Sequence, residues 1–380
     1  MRRYLWSCLA SLLIMHVFAP SVSATPFKSI VAFGDSLTDV GNVFSLTSSN
    51  PLYHPDPPPE LGYVNGRLTN GNNWVDDVAS LLGLPDPQAS LNGGTNYAYA
   101  GAKSGLGTNA RFPSPTYPPN PSLNVDRVGT QIDSYIVAHA SFQSDQLVLL
   151  WAGANDLRDV VGPADILTVV NNLDGEIRTL AAAGAATIVV PNQLDLSLAP
   201  FFSSNPVQQQ QALLVVTTFN TLLAARLQAL RSDPTLDVNI IGVDMFGLSH
   251  EVVANPGAFG FTNITDPVVT FVPPNTFTIA SNPNGYLFQD LIHPTAQFHQ
   301  LIAGAVVDAI EVQEPGTFSL MGLGLVGLSF WQVRRKLRAS FPRSGFSSCI
   351  RLAPRLQRRA CAGTGRALSK PPHRGARRCI

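Results

Sequence analysis

The sequence predicts a three-layer α/β/α domain around a central parallel sheet of about five strands. Two observations carry that expectation. Across residues 25–313, short apolar runs rich in Val, Ile and Leu alternate with segments of helical period, the rhythm of repeated strand–helix units. The runs are also apolar nearly throughout, which suits strands covered on both faces rather than strands with one wet face. In a sheet of this kind, active groups gather where the strands end at their C-termini.

Taken in order, Ser29–Phe33, Asn96–Ala100, Gln146–Trp151, Thr187–Pro191 and Val238–Val243 read as strands. Asn73–Leu82, Val128–His139, Ile166–Ala182, Gln208–Leu230 and Thr295–Ile310 carry helical spacing between and after them. Pro51–Pro59 and Phe112–Pro121 read as surface loops rather than linkers, because apolar elements continue on both sides. No internal repeat is present.

Charge and cysteine content narrow the function. The chain has 25 basic and 25 acidic residues, but 14 of the basic ones lie between Arg334 and Arg378, and nothing beyond Glu314 is acidic. Residues 1–333 therefore carry 11 basic against 25 acidic residues, a net charge of −14. Such a body lacks the basic face that phosphate binding needs, so nucleic acid is not expected as a partner. Cys8, Cys349, Cys361 and Cys379 all lie outside residues 25–333. A cysteine nucleophile, a cysteine-ligated zinc and a disulfide framework are thereby excluded from the body, leaving Ser, His, Asp and Glu to do any chemistry.

Both ends read as targeting segments. Met1–Ala24 has Arg2 and Arg3, an apolar run and the small-residue ending Val22-Ser23-Ala24, the pattern of an export signal cleaved after Ala24. Gly316–Val333 is 18 uncharged residues followed by Arg334, Arg335, Lys336 and Arg338. That length is near the lower limit for a membrane span, and the basic cluster would leave the body outside the cell. With Glu314-Pro315 before it, the segment resembles the PEP-CTERM sorting tails of exported bacterial proteins, with Gln313 standing where their first proline would be. This resemblance implies a sorting enzyme as a partner. Residues 339–380 show no apolar period and are expected to be a basic, disordered tail.

Four short blocks carry the chemistry. Directly after the first strand comes Gly34-Asp35-Ser36-Leu37-Thr38-Asp39-Val40-Gly41-Asn42. A serine on a strand-to-helix turn exposes its hydroxyl at the sheet edge and aims its own N–H at a developing oxyanion, although Gly, Asp and Ser also form turns for their own sake. The second strand ends in Gly101-Ala102, where a glycine allows close approach to a backbone N–H or simply permits a turn. Asn155, in Gly153-Ala154-Asn155-Asp156, could direct its amide into the same crevice or cap the following helix. Asp290, three residues before His293, could accept the imidazole Nδ1 proton and leave Nε2 free to take a proton from a serine. The bland reading of that pair is a hydrogen-bonded loop. A metal site from Asp290, His293 and His299 has poor spacing, since six residues do not bring two histidines to one helical face. No metal or cofactor is expected.

Four blocks in this order resemble the GDSL, or SGNH, hydrolase family over roughly residues 28–310. Gly94-Thr95-Asn96-Tyr97-Ala98, Gly66-Arg67-Leu68-Thr69-Asn70-Gly71 with Trp74, and Ala258-Phe259-Gly260-Phe261-Thr262-Asn263 extend the likeness. The resemblance implies a flavodoxin-like sheet, with Ser36 as nucleophile, His293 as general base and Asp290 as its orienting acid. It implies an oxyanion hole made by Ser36 N–H, Gly101 N–H and the Asn155 side chain, with Gly94 as the runner-up glycine. The reaction it implies is ester hydrolysis through an acyl-enzyme, on lipid, small-ester or acetylated-sugar substrates. The elbow pattern G-x-S-x-G occurs nowhere in the chain, which disfavours the α/β-hydrolase fold. Loops 44–64 and 103–125 are expected to shape the pockets, and their Pro, Gly and Ser content favours short or medium acyl esters over long-chain lipids. An acetyl-polysaccharide esterase is the second candidate. A non-catalytic surface or matrix binding protein on a hydrolase scaffold is the alternative of another class.

Overall fold

Four parallel strands, Ser29–Gly34, Gln146–Trp151, Thr187–Pro191 and Asn239–Val243, lie side by side in that order. Gly34 is level with Trp151, and Pro191 with Val243, so the strands end along one edge. This computed structural model describes residues 27–111, 120–160, 162–272 and 276–313, with the side chains of 312 and 313 excepted. The export signal, the candidate span, the basic tail and most of the Phe112–Pro121 loop lie outside the described residues. Contacts divide the chain after Pro315, and all that follows concerns residues before that point.

Period-two alternation sends each strand's apolar residues to both faces. Ile30, Ala32, Leu147, Leu149, Trp151, Val189, Ile241 and Val243 pack against helices Trp74–Leu82, Met245–Ala254 and Ala296–Gln313. Val31, Phe33, Val148, Leu150, Ile188, Val190 and Ile240 pack against helices Val128–His139, Pro163–Ala182 and Pro206–Arg231. The result is the expected three-layer α/β/α sandwich, with both sheet faces dry. Burying one large apolar side chain fully contributes roughly 1.5–3 kcal/mol, so this double layer of Ile, Leu, Val and Phe is the main source of stability. Helix starts follow local rules. Asn73 accepts from the N–H groups of Val75 and Asp76 in a capping box with Asp76, and Asn205 caps Pro206–Arg231.

The sheet has four strands rather than about five, because Asn96–Ala100 forms no ladder. It runs beside the first strand through a single bridge, Ala32 to Asn96, with Tyr97 N–H on the Ala32 carbonyl at 2.8 Å. The ladder is broken at Gly34, whose N–H goes to Gln131 Oε1 at 3.0 Å rather than to this segment, and asparagines hold the outer edge. Asn42 Nδ2 donates to the Asn96 and Ala98 carbonyls at 2.8 and 2.9 Å, and Asn96 Oδ1 takes the Ala98 N–H at 3.0 Å. These bonds hold the edge that faces away from the first strand, whose own Ala32 N–H, Ala32 carbonyl and Gly34 carbonyl pair with Thr95, Tyr97 and Tyr99. Helix Met245–Ala254 was not expected from the sequence. Only Met245, Ser249 and Val252 in it are buried, too few to imprint a clear apolar period. An antiparallel ribbon, Val269–Val272 with Thr276–Ile279, also escapes the strand–helix rhythm.

Candidate active site

The turn after the first strand is fixed before its chemistry begins. Gly34 N–H donates to Gln131 Oε1 and the Gly34 carbonyl accepts from Gln131 Nε2, both at 3.0 Å. No side chain fits at Gly34, since a Cβ there would meet the Trp151 carbonyl on the neighbouring strand. Asp35 then closes the turn, its carbonyl accepting Thr38 and Asp39 N–H and its Oδ1 accepting Leu37 N–H at 3.1 Å. Ser36 is left half-buried at the top, its backbone N–H bonded to no described residue.

Asp39 joins this turn to the glycine loop. Its carboxylate accepts the N–H groups of Gly41 and Asn42 at 2.7 Å, Val43 at 3.2 Å and, across the gap, Ala100 at 2.9 Å. Burial holds its pKa above the ordinary carboxylate value even with these donors. Gly101 follows Ala100 with φ +86°, a conformation that favours glycine, and Arg111 packs where its Cβ would stand. Arg111 is itself held by a buried ion pair with Asp56 and a 3.1 Å bond to the Ala100 carbonyl. Gly101 N–H bonds no described residue, whereas Gly94 N–H is taken by the Ala89 carbonyl at 3.0 Å. The structure places Gly101 on the cavity wall with Ser36, and Gly94 away from it.

Asn155 sits in the first turn of helix Ala154–Arg158, directly after the second sheet strand. Gly153, not Asn155, occupies the N-cap, so the capping alternative does not hold. Its Nδ2 donates to the Ala102 carbonyl at 3.0 Å, which sets the amide beside the glycine loop. Asp156 fastens the same loop, accepting Ser104 N–H at 2.9 Å and Ser104 Oγ at 3.1 Å.

Asp290 and His293 come from the loop between strand Tyr286–Phe288 and helix Ala296–Gln313. That loop is closed by Gln289 N–H on the His293 carbonyl at 2.8 Å. Asp290 Oδ1 accepts Ile292 N–H at 2.9 Å and His293 N–H at 2.8 Å, and His293 Nδ1 lies 2.7 Å from Oδ2. Burial alone would raise the Asp290 pKa, but the facing imidazole and these donors hold it below the ordinary value. With Nδ1 on the carboxylate, Nε2 of His293 is buried and without a partner among the described residues. His299 does not join the pair. Its Nδ1 accepts Trp74 N–H at 3.2 Å, and burial lowers its pKa to about 3, so it stays neutral and pins two helices together. No metal-holding group of three or more His, Cys, Asp or Glu is found among the described residues.

Ser36, Asn155, His293 and Ile292 line two adjoining cavities of about 310 and 80 Å³. The larger is walled by Leu68, Phe201, Val269, Phe271, Phe277 and Leu291. The smaller is walled by Leu37, Leu194, Leu198, Phe202, Phe288 and Phe298. Among the described residues of loops 44–64 and 103–125, Arg111 alone reaches the larger wall, and residues 112–119 lie outside the described residues. Most of the described apolar wall comes from the aromatic ribbon and the segment near Phe201, which the sequence reading did not assign to the pocket. Sequence reading also missed Gln131, Arg111 and Tyr63, which act across long sequence separations and leave no local pattern.

A family model described as GDSL-like Lipase/Acylhydrolase matches residues 30–306. A GDSL esterase/lipase of Arabidopsis thaliana is 26% identical over 367 residues, covering 83% of this chain and 96% of the relative. The phosphatidylcholine-sterol acyltransferase of Aeromonas hydrophila is 27% identical over 360 residues, covering 80% of this chain and 96% of the relative. Among solved structures, a member of the lipolytic G-D-S-L family from Veillonella parvula aligns with a TM-score of 0.40 at 13% identity, over 74% of this chain and 97% of that one. Matched over most of its described length, the chain belongs to the GDSL-like lipase/acylhydrolase family and is an ester-bond hydrolase.

Proposed function

We propose that this chain is a serine ester hydrolase in which Ser36 forms an acyl-enzyme, His293 moves the proton and Asp290 orients the imidazole. Ser36 Oγ attacks the ester carbonyl as its proton passes to His293 Nε2. The carbonyl oxygen becomes an oxyanion facing the N–H groups of Ser36 and Gly101 and the amide of Asn155. Collapse expels the alcohol, which takes the proton from His293. Water then attacks the acyl-serine, giving its proton to His293, and the carboxylic acid leaves as Ser36 regains its hydrogen. The observation that carries this reading is the 2.7 Å His293–Asp290 bond beside a cavity that Ser36, Gly101 and Asn155 share with His293.

The apolar lining of the larger cavity favours an acyl chain longer than acetyl, with the mouth exposing Phe201 (43%), Phe271 (51%) and Leu291 (49%). The test is turnover by the full chain and its Ser36→Ala variant on p-nitrophenyl esters from acetyl to palmitoyl, together with an acetylated polysaccharide. Ser36-dependent turnover that peaks above acetyl supports the reading. Preference for the polysaccharide would move the substrate to acetylated sugars. Undiminished turnover in Ser36→Ala would remove the nucleophile assignment.

Export directed by residues 1–24 and retention at the cell surface by residues 316–333 complete the proposal. Their support is the charge and apolar patterning of the two segments. Fractionation of cells making the full chain and a chain without 316–380 tests them. Surface retention lost on truncation is the expected result, and cytoplasmic accumulation of both would overturn export.

A further inference from the structure

We propose that Tyr63 is a positioning residue of the Asp290–His293 pair, its hydroxyl acting through the Asp290 carboxylate to fix the imidazole and moderate its basicity. The inference rests on the reading of Ser36, Asp290 and His293 given above.

The two oxygens of Asp290 are served unequally. Oδ1 takes two backbone N–H groups as well as His293 Nδ1 at 3.0 Å. Oδ2 takes His293 Nδ1 and, at 2.6 Å, the Tyr63 hydroxyl. Tyr63 is thus the donor other than the imidazole on the oxygen nearer to the imidazole. Burial, with the charges of Asp290 and Asp56, raises the Tyr63 pKa well above the usual phenol value, so it remains a neutral donor. A short bond from a neutral donor to a carboxylate withdraws charge from that oxygen. Without it, Oδ2 would direct all its charge at the Nδ1 proton, making the imidazole more basic, and the carboxylate would be freer to rotate. The Tyr63 ring packs with Val43, Leu61, Leu68 and Tyr99, so Tyr63→Phe removes the hydroxyl and keeps the packing. The other ionisable groups facing this pair are Asp35 from the nucleophile turn, His299 from the following helix, the Arg111–Asp56 pair, and Arg158 across the cavity. The substitution leaves all of them in place.

The experiment compares pH profiles of kcat/KM for the full chain carrying Tyr, Phe or 3-fluorotyrosine at position 63. In Tyr63→Phe the acid limb is expected to move up by about half a pH unit, the scale of a partly transmitted charged hydrogen bond. kcat should fall roughly tenfold with KM little changed, as expected for lost alignment. Fluorotyrosine, a stronger donor with nearly the native shape, should move the limb down, so the two variants shift in opposite directions. The Nδ1 proton resonance of His293, read by NMR on folded protein whatever its activity, should shift in Tyr63→Phe. Superimposed profiles and an unmoved resonance, with only a lower melting temperature, would reduce Tyr63 to packing. Ser36→Ala is the control: residual turnover in it would overturn the site reading itself, separately from any result at Tyr63.

Discussion

On one side of the cavity, the turn bearing Ser36 is tied at almost every residue: Gly34 by Gln131, Leu37 by Asp35, and Gly41, Asn42, Val43 and Ala100 by Asp39. On the other side, the ribbon Val269–Val272/Thr276–Ile279 offers Phe271 and Phe277, ring centroids 5.3 Å apart, with Phe271 half exposed. The polar side stores its order in buried, directional bonds, which suit a transition state that tolerates little displacement. The apolar side relies on non-directional contact, which accepts chains of different length at modest cost. On the proposed reading, chemistry and substrate range lie on separate parts of the molecule, and each should respond to substitution without the other.

That separation can be broken or sharpened by experiment. The largest effect belongs to the polar side. Asn155→Ala should lower kcat by about 10²–10³ on every ester, the usual loss for one oxyanion donor. An equal loss confined to long esters would mean that Asn155 belongs with the substrate wall. Phe271→Ala comes next. It should lower kcat/KM roughly tenfold for long acyl chains and leave acetyl esters unaffected, since apolar pocket contacts discriminate by about 1–3 kcal/mol. A uniform loss across chain lengths would erase the distinction between the two sides.

The smallest effect is on stability. Burial raises the Asp35 pKa from 3.8 to about 7, so the folded state keeps a proton that the unfolded chain has released. Its contribution to stability is full below pH 3.8 and is lost as pH rises through about 7. Asp35→Asn cannot ionise, so in urea unfolding it should match the native chain near pH 4 and gain on it steadily as pH rises through 7. A difference independent of pH would show that Asp35 is ionised in the folded protein.

The same contrast explains what could be read from the sequence. Helix Val128–His139 and the strands Gln146–Trp151 and Thr187–Pro191 were legible to the residue, because apolar period records burial directly. The residues proposed for catalysis were legible as well, each lying in a contiguous turn or loop block. Asn96–Ala100 reads as a strand because its composition is strand-like, and it does lie against the first strand, but Gln131 takes the Gly34 N–H that would have continued the ladder. Gln131 and Tyr63 reach their partners across 97 and 227 residues, and no local pattern encodes such contacts. The apolar wall was invisible for a related reason. Phe201, Phe271, Phe277 and Leu291 come from three separate segments and converge only on folding.

The central claim is that the Ser36 hydroxyl carries the acyl group. A fluorophosphonate ester should trap that nucleophile on the folded full chain, and peptide mass mapping should then locate the adduct. One adduct on Ser36, absent in Ser36→Ala and strongly slowed in His293→Ala, is the result this account predicts. Labelling at another residue, with ester turnover abolished by it, would contradict the account.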